Sequence, residues 1–420
     1  MRNFFSLGLP VVGILGVVAL TACSDDEPMA RSAAGTSGAG GATGGTGGGG
    51  TGGTAGTGGA VGSGGDSGTK FDGRDVFRND TFGDERFWTD QLGMHEVVEG
   101  VPPTTALAVG LKVDSDMVPA NVLASADLNA PATTVALLKL GAVVGVKAEV
   151  DASNNVVKFG ITCAICHSDV DNSVMPGIGK RLDGYANRQL DPGKIIALSP
   201  AITADQKAVL NTWGPGRYDA RWNQDGMSKP ILIPPIYGLK DVPVETSTGD
   251  GPISYWNAYV AVTQMGGLGK FEEPRTGVSV NRTPDMVTPK LPALLEYQVS
   301  IAKPPPPANS FDAAAAARGK TLFEGAKAKC STCHTGATFT DSADKLHAAA
   351  EVGQEPVTAQ RSASKMYRTT PLRALWQHPP YFHDGSATTL AAVVTHYNTH
   401  MTLGLTAAEQ EDLVEYLKSL

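Results

Sequence analysis

A chain of 420 residues with 41% hydrophobic and 18% charged residues has enough apolar material for sizeable cores. Of its 50 glycines, 19 lie between Arg31 and Lys70 in no strict triplet, so collagen is excluded and the excess is one local tract. The balance of 34 basic against 42 acidic residues, net −8 with no basic run, argues against nucleic-acid binding, and a single long apolar run excludes a multi-span membrane protein.

That run, Leu7 to Leu20, follows Arg2 and precedes Thr21-Ala22-Cys23. A positive start, a short apolar core and small residues before a cysteine read as a secretory signal over residues 1–22. Leu20-Thr21-Ala22-Cys23 has the form of a bacterial lipobox, so Cys23 is the expected lipid site. Ser24 after it points to the outer membrane, with the protein on the periplasmic face of the envelope. Residues 23–69 are mostly Gly, Ser, Thr and Ala, and they read as a flexible tether that cannot offset its ordering entropy.

Globular sequence runs from about residue 70 to 303, with short strand signals at Val156 to Ile161 and Ile231 to Ile233. Trp213-Gly214-Pro215-Gly216-Arg217-Tyr218-Asp219 reads as a turn after a helix. Residues 304–309 contain four consecutive prolines, an extended linker to a second globular stretch at 310–420. There Ala313 to Ala326 is an Ala-rich helix with Gly319 and Phe323 one turn apart. Thr406-Ala407-Ala408-Glu409 is a capping box opening a helix that carries Leu413, Leu417 and Leu420 at helical spacing. The expected class is mainly α with few short strands.

Four cysteines remain besides Cys23, as Cys163-Ala164-Ile165-Cys166-His167 and Cys330-Ser331-Thr332-Cys333-His334. Two thiols on one helical turn reach the two vinyl groups of one haem, and the next histidine lies under its iron. A single all-cysteine zinc site is disfavoured by the long gap between the pairs, and redox dithiols leave both histidines as coincidence. Disulfides within each pair would staple almost nothing. The pattern therefore predicts two covalent haem c groups, on His167 and His334, and with them two c-type cytochrome domains in a mainly α chain.

Arg318-Gly319-Lys320, the second haem motif, Thr370-Pro371-Leu372-Arg373, and Pro380-Tyr381-Phe382-His383-Asp384-Gly385-Ser386 with Thr389-Leu390 make residues 315–420 resemble the C-terminal domain of bacterial dihaem cytochrome c peroxidases and MauG enzymes. The stretch 155–300 resembles that family more loosely, through its haem motif and Tyr255-Trp256-Asn257, and 70–150 reads as an extension packed on it. The resemblance implies a second-haem ligand at Tyr397, with Met401, His396 and His400 as alternatives, and a non-ligating His383. It implies a reactive first haem, with Trp256 between the haems and Gln264 and Glu273 (or Glu272) as catalytic groups. No histidine occurs between His167 and His334, which leaves Met175, Met227, Met265, Met286 or an open site on that iron. A calcium ion between the haems, held partly by carbonyls of Pro379-Pro380-Tyr381, is also implied. Hydrogen peroxide or another small oxidant is the expected substrate, and a soluble or membrane redox protein the expected partner. A dihaem electron carrier without substrate, and a dihaem oxygenase, are the alternatives.

Overall fold

The computed structural model describes residues 70–420; the signal, Cys23 and the glycine tract lie outside the described residues. Helices are short and numerous, and the strands form only two-stranded sheets. The mainly α reading holds, and both strand signals correspond to strands, Val156–Ile161 and Ile231–Leu232. Val156–Ile161 pairs antiparallel with Val146–Val150, and Ile231–Leu232 with Arg217–Tyr218.

Three apolar cores organise the described residues. The first gathers Phe87, Trp88, Leu137, Leu138, Phe159, Ile165, Leu210 and Trp213. The second gathers Val76, Phe77, Phe82, Tyr259, Val262, Met265 and Leu294. The segment 70–150 contributes to both, packed together with the residues around the first cysteine pair.

The third core lies beyond the prolines, and its sequence shows why. Asp312 caps the helix Ala313–Glu324 by accepting from Ala314 and Ala315 N–H, and Thr406 and Glu409 make the reciprocal capping box of Ala407–Lys418. At Gly319 a Cβ would come within 2.0 Å of Asp412 O, so only glycine lets the two helices cross this closely. Phe323 then meets Tyr416 edge-on at 5.2 Å, with Leu413 and Leu417 buried beside them.

Residues 304–309 carry neither helix nor strand, yet the sequences on either side meet through polar contacts. Arg361 is 7% exposed and binds Asp219 at 3.0 Å and Asp225 at 2.6 Å. Arg368 donates to Glu245 at 3.0 Å, Ser364 N–H to Asp250 at 2.9 Å, and Leu232 N–H to His383 O at 2.7 Å.

Candidate haem sites

The first cysteine pair sits where the strand Val156–Ile161 turns into the single helical turn Ala164–His167. Gly145, at φ 74°, supports that corner: Thr162 N–H donates to its carbonyl at 2.9 Å, and a Cβ on it would come within 2.0 Å of Ile165 N. His167 Nδ1 lies 3.0 Å from Pro234 O, so Nδ1 carries the proton and the Nε2 lone pair is left for a metal. Burial pulls the imidazole down to about 4, so it is neutral at pH 7. Burial also pushes both free thiols up to about 12.

The second pair repeats this arrangement on a 3-10 turn, Cys330–Thr332. His334 N–H donates to Cys330 O at 3.0 Å, and Nδ1 lies 3.0 Å from Phe339 O. Burial again lowers the histidine, and it pushes Cys330 up to about 11. In both sites unbridged thiols on one turn, beside a buried histidine that donates Nδ1 to a backbone carbonyl, fit a covalently attached haem.

Tyr397 lies on the helix Leu390–His400, and its phenol is pushed up to about 12 by burial and then by the neighbouring Cys333 and Cys330. The other candidates at that position are engaged or turned outward. His396 Nε2 meets Val352 O at 3.3 Å, His400 Nε2 meets Glu351 O at 3.2 Å, and Met401 is 41% exposed. His383 is buried against Glu355 at 3.1 Å and Tyr367 at 3.3 Å, which occupies its Nε2. Cys333, Asp341 and His347 form a further cluster, in which His347 is buried between Asp341 (3.0 Å) and Glu351 (2.9 Å).

Around the first pair the structure separates the residues that sequence reasoning grouped. Gln264 ends a π-helical turn, Val260–Gln264, that continues the helix Ile253–Tyr259; such turns recur at functional sites. The buried Gln264 accepts from Tyr218 OH at 3.0 Å and donates to Thr263 Oγ1 at 2.8 Å and Asn223 Oδ1 at 3.3 Å. Burial and then Cys166 raise the Tyr218 phenol, which marks Tyr218 as a neighbour of the first pair. Sequence reasoning missed Tyr218, although it stands inside the turn singled out at Trp213 to Asp219.

Trp256 donates to Glu245 O at 3.1 Å and lies under the Arg221 guanidinium at 5.9 Å. Glu245 in turn binds Arg368, so Trp256 reaches the C-terminal half through one residue. Glu273 is buried and held by Arg275, whose hydrogen bonds keep it at about 2; Glu272 is exposed. Met175 and Met227 are exposed at 37% and 48%, Met265 is buried in the second core, and the Met286 sulfur lies against Gly83. In the stretch expected to offer carbonyls to calcium, the neighbouring His378 O accepts from Arg188 Nη2 at 3.3 Å. Backbone acceptors such as Pro234 O and Phe339 O have no side-chain signature, which is why the sequence does not reveal them.

Residues 316–420 match the Cytochrome c family model, so this part is a cytochrome c domain that binds haem c covalently. The chain is similar to the methylamine utilization protein MauG of Methylorubrum extorquens, with 40% identity over 92 residues. That match covers 20% of this chain and spans only 24% of the relative's length. Among solved structures, the hydrazine synthase of Kuenenia stuttgartiensis is 22% identical with a TM-score of 0.34, covering 47% of this chain and 74% of that one. A MauG-like protein associated with microbial copper homeostasis is 21% identical with a TM-score of 0.25, covering 31% and 56%. At these scores neither structure bears on the fold or chemistry of this chain. The sequence matches support the resemblance to MauG and the cytochrome c peroxidases.

Proposed function

We propose that the chain is a dihaem c-type oxidoreductase of the peroxidase kind. Its first haem, on Cys163, Cys166 and His167, is the reactive one, and its second, on Cys330, Cys333, His334 and Tyr397, passes electrons. A bound haem would supply an iron able to exchange single electrons and to bind a small oxidant such as hydrogen peroxide. The protein's task is to hold and orient each imidazole for the iron, and the contacts to Pro234 O and Phe339 O serve it.

The observation that carries the reading is the Tyr218–Gln264 pair beside Cys166. Tyr218 stays protonated at neutral pH and gives its proton in a hydrogen bond to Gln264 Oε1. The pair is therefore positioned to hold and orient a proton near a bound oxidant, the requirement of peroxide cleavage. Glu273 is kept ionised by Arg275 and is left out of that step. Trp256, through Glu245 and Arg368, lies on the packed route towards the second half. The lipobox and glycine tract support a lipid anchor at Cys23 on the periplasmic face of the envelope, within reach of an electron-transfer partner.

Absorption and EPR spectra of the purified holoprotein test the reading. A high-spin ferric haem that changes on adding hydrogen peroxide is expected. Two low-spin haems in every redox state would leave an electron carrier without substrate chemistry and sink the proposal. In Gln264→Ala, peroxide turnover is expected to fall by about a hundredfold at unchanged haem content.

A further inference from the structure

Two arginines of the first haem region take no part in the proposed reaction, and tertiary packing brings them together. Arg188 lies in the loop returning from the first cysteine pair, where Asn187 N–H donates to Cys166 O at 2.9 Å and Gly184 N–H to His167 O at 2.8 Å. Arg217 is tied to that loop through its neighbour, since Gly216 N–H donates to Leu190 O at 2.6 Å. It also pairs across to Leu232, two residues before the Pro234 that holds His167. The C-terminal half closes over both. Arg188 Nη2 donates to His378 O at 3.3 Å and Arg217 Nη2 to Asp384 O at 3.4 Å. At Gly385, φ 74°, a Cβ would lie 2.9 Å from Arg217 Nη2, so glycine leaves the guanidinium its place.

The polar groups here do not balance internally. Arg188 Nε and Nη1 and Trp376 Nε1 are all buried without a hydrogen-bond partner. The titratable groups facing Arg188 are Tyr237, Arg217 and Tyr381, none of them a carboxylate. Burial, and after the opposing effect of Tyr237 the cation of Arg217, pull Arg188 down to about 10, still charged at neutral pH. A guanidinium with two buried, unused N–H groups beside a second cation calls for an anion. A guanidinium fork matches a carboxylate in shape as well as charge, and an indole N–H adds a third donor.

We propose that Arg188, Arg217 and Trp376 Nε1 clamp the carboxylate side chains of the haem carried by Cys163 and Cys166. The inference rests on the two-haem reading above and adds to it. The potential of the first haem is then set partly by donors from the other half of the molecule. A carboxylate from solution has the same chemistry and is the competing source.

The test uses the full holoprotein, with haem counted per chain and each haem's midpoint potential followed by spectroelectrochemistry. Removing a cation from a haem carboxylate disfavours the ferrous form. Arg188→Gln is expected to shift the first haem's equilibrium about tenfold towards ferric, a fall of about 59 mV for a one-electron couple. Arg188→Lys, which keeps the charge, should shift it less. Trp376→Phe, which removes one donor and no charge, should give a smaller fall in the same direction, and it carries the test if Arg188→Gln does not fold. Unchanged first-haem potentials in these variants at full haem content, or shifts confined to the second haem, would overturn the clamp. Wild-type potentials that follow added acetate would assign the site to a free anion and also overturn it. One haem per wild-type chain would defeat the two-haem reading itself, an outcome distinct from failure of the clamp.

Discussion

Around Cys163 to His167 the chain makes a helical turn between a hairpin and two buried cores, whereas Cys330–Thr332 is a 3-10 turn beside one helix pair. The first site is the more deeply desolvated: both its thiols are pushed up to about 12, against about 11 for Cys330, and His167 is pulled down to about 4. On the histidine side the two sites are alike, each ring donating Nδ1 to a backbone carbonyl at 3.0 Å. They differ in the aromatic residue each thiol pair meets, Tyr218 bonded to Gln264 at one and Tyr397 at the other. The pentapeptide thus repeats the proximal chemistry, while the surrounding packing differentiates the partners.

Several substitutions break or sharpen that contrast. The largest effect is expected from replacing Cys163 and Cys166 together by Ser. Haem content should fall from two per chain to one, with peroxide turnover reduced by more than about a hundredfold. The matching change at Cys330 and Cys333 should spare the peroxide-sensitive spectrum of the first site. A pyridine haemochrome count and absorption spectra decide both, and equal losses from the two would erase the distinction.

Next comes the clasp between the regions. Arg361 is 7% exposed and Asp219 2%, and Asp219 also accepts from Arg221 and Trp222 N–H beside Tyr218. Arg361→Met leaves that carboxylate buried without its cation, so a loss of about 3–5 kcal/mol is expected in denaturant unfolding. A loss below about 1 kcal/mol would show that the halves do not depend on it.

At the second site, Tyr397→Phe removes the phenol beside Cys333 and Cys330. A phenolate ligand favours ferric iron, so the variant should shift the second haem about tenfold towards ferrous, roughly 59 mV, without moving the first. An unchanged second-haem spectrum would exclude Tyr397 as its ligand.

The smallest effect concerns Glu273, held at about 2 by Arg275 against an ordinary 4.5. A lowered carboxylate contributes stability that is present above about pH 4.5 and lost as pH falls through 2. Glu273→Gln should flatten that acid limb of the unfolding curve while leaving peroxide turnover intact. A large loss of turnover would instead return Glu273 to the catalytic group.

Much of this was legible in the sequence because it depends on near neighbours along the chain. Cys-x-x-Cys-His puts two thiols and an imidazole on one turn whatever surrounds them, and Thr406 with Glu409 caps a helix from three positions away. Gly319 and Phe323 stood one turn apart on a predicted helix, and only the structure supplied Asp412 O and Tyr416 as what they face. Where contacts bridge distant positions, the sequence carried little signal. Tyr218 and Gln264 are 46 residues apart, and Arg361 reaches Asp219 over 142.

By itself, then, the sequence determined the haem-attachment motifs and the helical character, each encoded in residues a few positions apart. Tertiary structure alone decided which carbonyl orients each histidine, that Glu273 is spent on Arg275 while Gln264 meets Tyr218, and that the C-terminal half supplies carbonyls to Arg188 and Arg217. The physical reason is range. Capping and attachment are satisfied within a turn, whereas a buried donor or charge must find its partner wherever the packed chain brings one.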